Sequence, residues 1–141
     1  MFYEDETLYK RDVIYARVST HSKQKQGELE GQVDYILSNR ADLKNVLILK
    51  EIGNSLDSKR KKLLKLIDMI LNDEVNRIFI THKERLTGFG FEYIEAICKH
   101  HDVEIIVMQS EQDNKSVEQE LEKDIKSLLA TLNKEKLSNN E

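Results

Sequence analysis

Four short apolar runs, separated by stretches of helical periodicity, constrain this chain more than any other feature of it. The first opens VIYARVST (residues 13–20), the second is VLIL (46–49), the third spans Val75–Thr81 around Ile78, Phe79 and Ile80, and the fourth is VEIIVM (103–108). Apolar runs of this kind suit strands buried on both faces, as in parallel sheets covered by helices. Between them, Leu29, Val33, Ile36 and Leu37 recur at helical spacing over about 28–40. Leu63, Leu66, Ile67, Ile70 and Leu71 do the same behind Ser58, a candidate N-cap, and Phe91, Ile94, Ile97 and Cys98 mark a further helix. Strands alternating with helices predict the α/β class: a single domain with an about four-stranded, mainly parallel sheet, right-handed crossovers and flanking helices. Proline is absent, so no element carries an internal break from that source.

The two ends read differently from this core. Residues 1–11 mix acidic, basic and aromatic residues (Phe2, Tyr3, Tyr9) without a period and read as a leader. Towards the other end, Val117, Leu121, Ile125, Leu128 and Leu132 step by three or four, predicting one long helix over 113–138 with a frayed end. Glu118, Glu120, Glu122, Lys123, Asp124 and Lys126 fall on the remaining faces, so a single stripe is expected to seek burial. Such a helix either closes over its own sheet or pairs with another chain, and the heptad-like stripe favours pairing.

Composition excludes several functions. The lone cysteine, Cys98, has no intramolecular disulfide partner, no Cys/His spacing resembles a zinc site, and neither a signal peptide nor a membrane-length apolar run is present. The expectation is a cytoplasmic protein without a membrane or metal partner. Adjacent His100 and His101 point in different directions on a helix. The net charge of −4 argues against a wholly nucleic-acid-binding surface, yet KRKKLLK (59–65) concentrates basic residues enough to meet a phosphate backbone.

In open α/β sheets, reactive groups collect beyond the carboxyl ends of the strands. The loops there hold Arg17 and Ser19, then Glu51, Asn54, Ser55 and Arg60, then Lys83, Glu84 and Arg85. A serine among arginines, without a histidine base or a Gly-rich phosphate loop, suits a phosphoryl group: arginine forks bind its oxygens and the hydroxyl supplies the nucleophile. The same residues also fit an N-cap and solvated loop arginines. His82 at a strand end and Cys98 on an apolar face read as structural.

Four motifs in order carry a resemblance. YARVST (15–20), Gln24 with LEGQ (29–32), EIGNSLDSKRKKL (51–63) and KERLTGFGFEYIE (83–95) together resemble the catalytic domain of serine site-specific recombinases, nearest the transposase branch of small insertion sequences. The resemblance covers about residues 12–110. It implies DNA cleavage and rejoining through a 5′-phosphoserine intermediate, with no cofactor, by a homo-oligomer: a dimer, and a tetramer during exchange. Ser19 matches the nucleophile, and Arg17, Arg60 and Arg85 match arginines of the site. Gln32, Glu51 and Glu84 match supporting residues, the last replacing an aspartate. Lys59, Lys61, Lys62 and Lys83 are candidates for the DNA backbone, and Val117, Leu121, Ile125, Leu128 and Leu132 for the oligomer interface. Gly88 departs from the pattern, since a second arginine is usual there; Lys62 or Lys83 could stand in for it.

The resemblance further implies a helix-turn-helix domain ahead of the catalytic one. Residues 1–11 then read as its linker, 12–112 as the catalytic domain, 113–138 as the oligomerisation helix and 139–141 as a tail. A non-catalytic relative that dimerises beside DNA is the alternative, favoured by Gly88. A flavodoxin-like or receiver-like signalling domain would need an acidic cluster after the first strand, where Arg17 and Ser19 stand instead.

Overall fold

The computed structural model describes residues 10–57 and 59–139, with the side chains of 137–139 excepted. The elements are β1 (Arg11–Val18), α1 (Lys25–Asn39), β2 (Leu47–Ile52), α2 (Lys61–Leu71), β3 (Val75–Ile80), α3 (Lys83–Leu86), α4 (Phe91–His100), β4 (Glu104–Val107) and α5 (Glu111–Asn139). All strand pairs are parallel, in the order β2-β1-β3-β4. From β1 the chain therefore goes outward to β2 and then back across to β3. That reversal of strand order opens a crevice at the carboxyl ends of β1 and β3, where Ser19 and Arg85 emerge.

The period of two along β1 sends its residues to two separate cores. Ile14, Ala16 and Val18 pack with Leu29, Val33 and Ile36 of α1 and with Phe79. Val13 and Tyr15 face the other layer, with Leu66 and Ile70 of α2 and Ile94 and Cys98 of α4. Arg17 follows this second parity, so its side chain leaves β1 on the side of α2 and α3. Tyr15 and Arg17 pair in register with Leu49 and Glu51 of β2, which places Glu51 beside Arg17.

Helix ends follow from local chemistry. Both α2 and α4 stop at an aspartate with positive φ, Asp73 (57°) and Asp102 (58°). The next amide then reaches back into the helix: Glu74 N donates to the Met69 carbonyl at 2.9 Å and Val103 N to that of Cys98 at 2.7 Å. Gly90 precedes α4 at φ 73°, a conformation that favours glycine.

Several expectations change. β1 starts at Arg11, so the leader ends sooner than expected, and residues 1–9, with Phe2, Tyr3 and Tyr9, lie outside the described residues. β2 is an edge strand rather than a doubly buried one: Leu49 and Glu51 are covered by α2, whereas Ile48 and Ile52 are 40% and 52% exposed. Leu37 and Leu71 also face outward, at the margins of their helices. Part of the third loop coils into the short α3, and Ser58 lies outside the described residues. α5 begins at Glu111, earlier than expected, and continues through Asn139.

The largest change concerns how α5 is buried. Its first half folds back over the carboxyl edge of the sheet on a stripe of Asp113, Val117, Glu120 and Asp124, spaced by four, three and four residues. Glu120 and Asp124 were expected on a solvent face but are buried: Glu120 supplies a counter-charge to Arg85 and Arg17, and Asp124 accepts from the Ser19 hydroxyl and the Ser55 amide. Of the expected apolar stripe, Val117 is buried within the chain rather than free for an interface, Leu121 is half-buried, and Ile125, Leu128 and Leu132 remain exposed. Among the described residues, no helix is long and apolar enough to cross a membrane.

Candidate active site

Ser19 is the first residue beyond β1 and is fully buried. Its Oγ accepts from the His21 amide at 3.1 Å and lies 3.0 Å from Asn54 Oδ1 and 3.1 Å from Asp124 Oδ1. One hydroxyl proton serves one acceptor well, and the charged carboxylate is the stronger of the two. Asn54 Oδ1 also accepts from the amide and hydroxyl of Thr20, at 3.2 and 3.0 Å, and so fixes the turn that carries Ser19.

Gln32 of α1 holds the end of β1. Its side-chain oxygen accepts from Arg17 N at 3.1 Å and its amide donates to Arg17 O at 2.9 Å. A side chain thus replaces a neighbouring strand where the ladder runs out, and both backbone groups stay paired inside the protein.

Three arginines converge behind the serine. Arg17 donates from Nε to the Arg85 carbonyl (3.1 Å), from Nη1 to that of Gly53 (2.9 Å) and from Nη2 to that of Glu84 (2.7 Å). Arg60 Nη2 reaches the carbonyls of Leu86 (2.5 Å) and Arg85 (3.2 Å), so two guanidinium groups share one carbonyl oxygen. Burial and the nearby charge of Arg60 pull the Arg17 pKa down to about 10. The Arg85 fork is fully buried and faces α5: Nε and Nη2 bind Asp113 at 2.9 and 2.5 Å, and Nη1 binds Glu120 at 2.6 Å. Burial opposes the charged form of Arg85, but these bonds outweigh it and its pKa rises above the ordinary value. Glu120 also stands 3.6 Å from Arg17 Nη1.

Glu51 ties the second loop to the sheet. Its carboxylate accepts from the amides of Lys62 (2.8 Å) and Leu63 (3.1 Å), capping α2 from β2, and from the hydroxyl of Tyr15 at 2.8 Å. That hydroxyl accepts in turn from Arg60 Nη2 at 2.6 Å, and burial pushes the Tyr15 pKa upward. Glu51, Tyr15 and Arg60 therefore form one chain of polar contacts that aims the Arg60 guanidinium at the crevice.

The structure brings Ser19, Arg17, Arg60, Arg85, Gln32 and Glu51 together. Glu84 contributes through its backbone carbonyl. Lys59, Lys61, Lys62 and Lys83 are exposed, and Lys83 Nζ lies 5.3 Å from the centre of the Phe91 ring, turned towards α4 rather than into the site. At Gly88 a Cβ would come within 2.9 Å of Ser55 Oγ and 3.1 Å of Ser55 Cβ, so Ser55 fills the space a side chain there would need. His82 Nε2 lies 2.8 Å from the Ser110 carbonyl and Cys98 is core, both structural as expected. Sequence reasoning missed Tyr15, Asp113, Glu120 and Asp124. The four-three-four spacing on α5 was the available signal, hidden by the apolar stripe beside it.

A serine at a strand-order reversal in a parallel α/β sheet, backed by three arginines and followed by a long helix, defines the catalytic domain of a serine recombinase. A family model described as resolvase, N-terminal domain, matches residues 13–141, and the chain belongs to that family. It is 38% identical to the C-terminal catalytic domain of ISC1926 TnpA, described as an IS607-like serine recombinase, over 86% of this chain and 82% of that one, with a TM-score of 0.72. A serine recombinase from Sulfolobus solfataricus is 36% identical over 87% and 82%, with a TM-score of 0.73. A protein of Acanthamoeba polyphaga mimivirus named as a resolvase is 34% identical over 85% of this chain. The chain spans 60–64% of the length of the curated relatives it matches.

Proposed function

We propose that this chain cuts and rejoins DNA, with Ser19 as nucleophile. The observation that carries the reading is the burial of Ser19 beside three converging arginines at the reversal of strand order. In the forward step Ser19 Oγ bonds to phosphorus, the bond from phosphorus to the 3′-oxygen breaks, and the proton given up by the serine is balanced by one gained on the 3′-hydroxyl. The 5′-phosphoserine ester conserves the energy of the broken bond, so attack by a 3′-hydroxyl reverses the step and rejoins a strand. Arg17, Arg60 and Arg85 would hold the non-bridging oxygens and stabilise charge on pentacoordinate phosphorus.

Breaking both strands of two duplexes uses four serines, so we propose a tetramer during exchange and a dimer before it. The exposed Ile125, Leu128 and Leu132 support α5 as the interface. Lys59, Lys61 and Lys62, exposed around the start of α2, are proposed to meet the DNA backbone. Neutralising them should reduce the salt dependence of binding, by about one unit of slope for each lysine that neutralises a phosphate. An unchanged slope would remove them from the interface.

The experiment for the reaction is a denaturing gel of the protein after incubation with the DNA that flanks its gene. Wild type should give a covalent protein-DNA band and Ser19→Ala none; equal bands, or none from either, would overturn the reading. A second reading, a non-catalytic module that dimerises beside DNA, is favoured by Gly88. It predicts no covalent band from any variant alongside an intact dimer.

A further inference from the structure

We propose that α5 is an internal competitor for the phosphate of DNA: its buried carboxylates occupy the groups that would bind and attack a phosphodiester. The inference rests on the proposed function and adds regulation to the same site. Three contacts from one helix face carry it. Asp113 binds Arg85 through two nitrogens, in the fork geometry that arginine also offers to phosphate. Glu120 takes the third nitrogen of Arg85 and lies within 3.6 Å of Arg17. Asp124 accepts at Ser19 Oγ and receives the amide of Ser55 at 3.4 Å.

Every nitrogen of the Arg85 guanidinium is therefore engaged by α5, and Ser19 lies under Asp124. The polar donors of Arg17 and Arg60 that face the sheet are engaged by backbone carbonyls, a fixed framework that need not move. The contacts from α5 are different. They come from a helix joined to the core only through β4 and whose far half has exposed apolar side chains. A dianionic transition state cannot share this space with three carboxylates, since like charges at such separations repel strongly in a buried site. Binding of DNA and docking of α5 are thus mutually exclusive, and the arginines stay neutralised until a phosphate replaces the helix.

The test uses the whole chain and a short fluorescent DNA duplex of arbitrary sequence at low salt. Asp113→Asn with Glu120→Gln removes two buried charges, and Glu118→Gln with Glu122→Gln removes two exposed charges from the same helix. The buried pair should tighten duplex binding by about tenfold or more, the range of an ordinary coupling between two sites, and the exposed pair by much less. Amide hydrogen exchange of wild type supplies a readout that needs no variant: saturating duplex should raise exchange over residues 111–126 while β1 and β3 keep their protection, and protection of β1 and β3 measured on each variant reports whether it is folded. Equal tightening by both pairs, or unchanged protection of α5 with duplex bound, overturns the competition alone. Absence of duplex binding by every form overturns the proposed function with it.

Discussion

Asp124 Oδ1 lies 3.1 Å from Ser19 Oγ, bringing residues 105 positions apart into a buried contact between α5 and the end of β1. Two roles fit that distance: a base that takes the serine proton, or a latch that holds the hydroxyl away from substrate. The other α5 carboxylates bind Arg85, so phosphate can enter only when this helix leaves, and the latch follows. Asp124→Asn should therefore raise the yield of covalent Ser19-DNA product by about fivefold or more. A base would make the same substitution lower it. Quantifying the covalent band under matched conditions separates the two.

Gly88 stands where the family resemblance calls for a second arginine. Restoring it in isolation should not increase product, because the new side chain meets Ser55 at the Cβ already. Overpacking of this kind should destabilise Gly88→Arg by about 1–3 kcal/mol in urea unfolding. Adding Ser55→Gly should recover part of that stability. A Gly88→Arg protein as stable as wild type and more productive would show that the loop yields readily.

Gln32 replaces a missing strand at the end of β1. Gln32→Leu keeps much of the volume and strands the buried N–H and C=O of Arg17, at a cost of about 2–4 kcal/mol. Tyr15→Phe tests the polar chain from Glu51 to Arg60 more gently. It removes one hydroxyl between two charged partners and should cost about 1–2 kcal/mol. Urea midpoints at constant slope measure both.

The alternation of strands and helices was legible in the residues, because its signals are local: apolar runs, helical spacing and Asp or Gly at the turns. So were Ser19, Arg17, Arg60 and Arg85, which the topology carries to one edge. The carboxylates of α5 were not. Their burial depends on partners in segments far away in the chain, Arg85 for Asp113 and Glu120 and Ser19 for Asp124, and an acidic residue between apolar ones looks the same whether it faces water or such a partner. Tyr15 was hidden for the opposite reason, being a polar contact inside an apolar run. The edge position of β2 was also out of reach, since strand order is decided by pairing and not by the strand's own residues.

At the opposite end of the sheet, Asp12 is fully buried and binds Arg77 at 2.6 and 3.0 Å and the Lys44 amide at 2.7 Å. Burial alone would raise its pKa, but these bonds prevail and hold it below the usual aspartate value. A depressed folded pKa adds stability above the unfolded value of 3.8, and that stability disappears as pH falls through the folded pKa. Wild type should therefore lose more stability than Asp12→Asn between neutral and strongly acidic pH. Parallel losses in the two proteins would remove Asp12 from the acid response.

The most direct test of the central claim is to digest the covalent product and locate the nucleotide by mass spectrometry. The account predicts a nucleotide joined through its 5′-phosphate to Ser19, on the peptide that also holds Thr20, His21 and Ser22. Attachment at Thr20, Ser22 or any other residue, or a linkage through a 3′-phosphate, would contradict it.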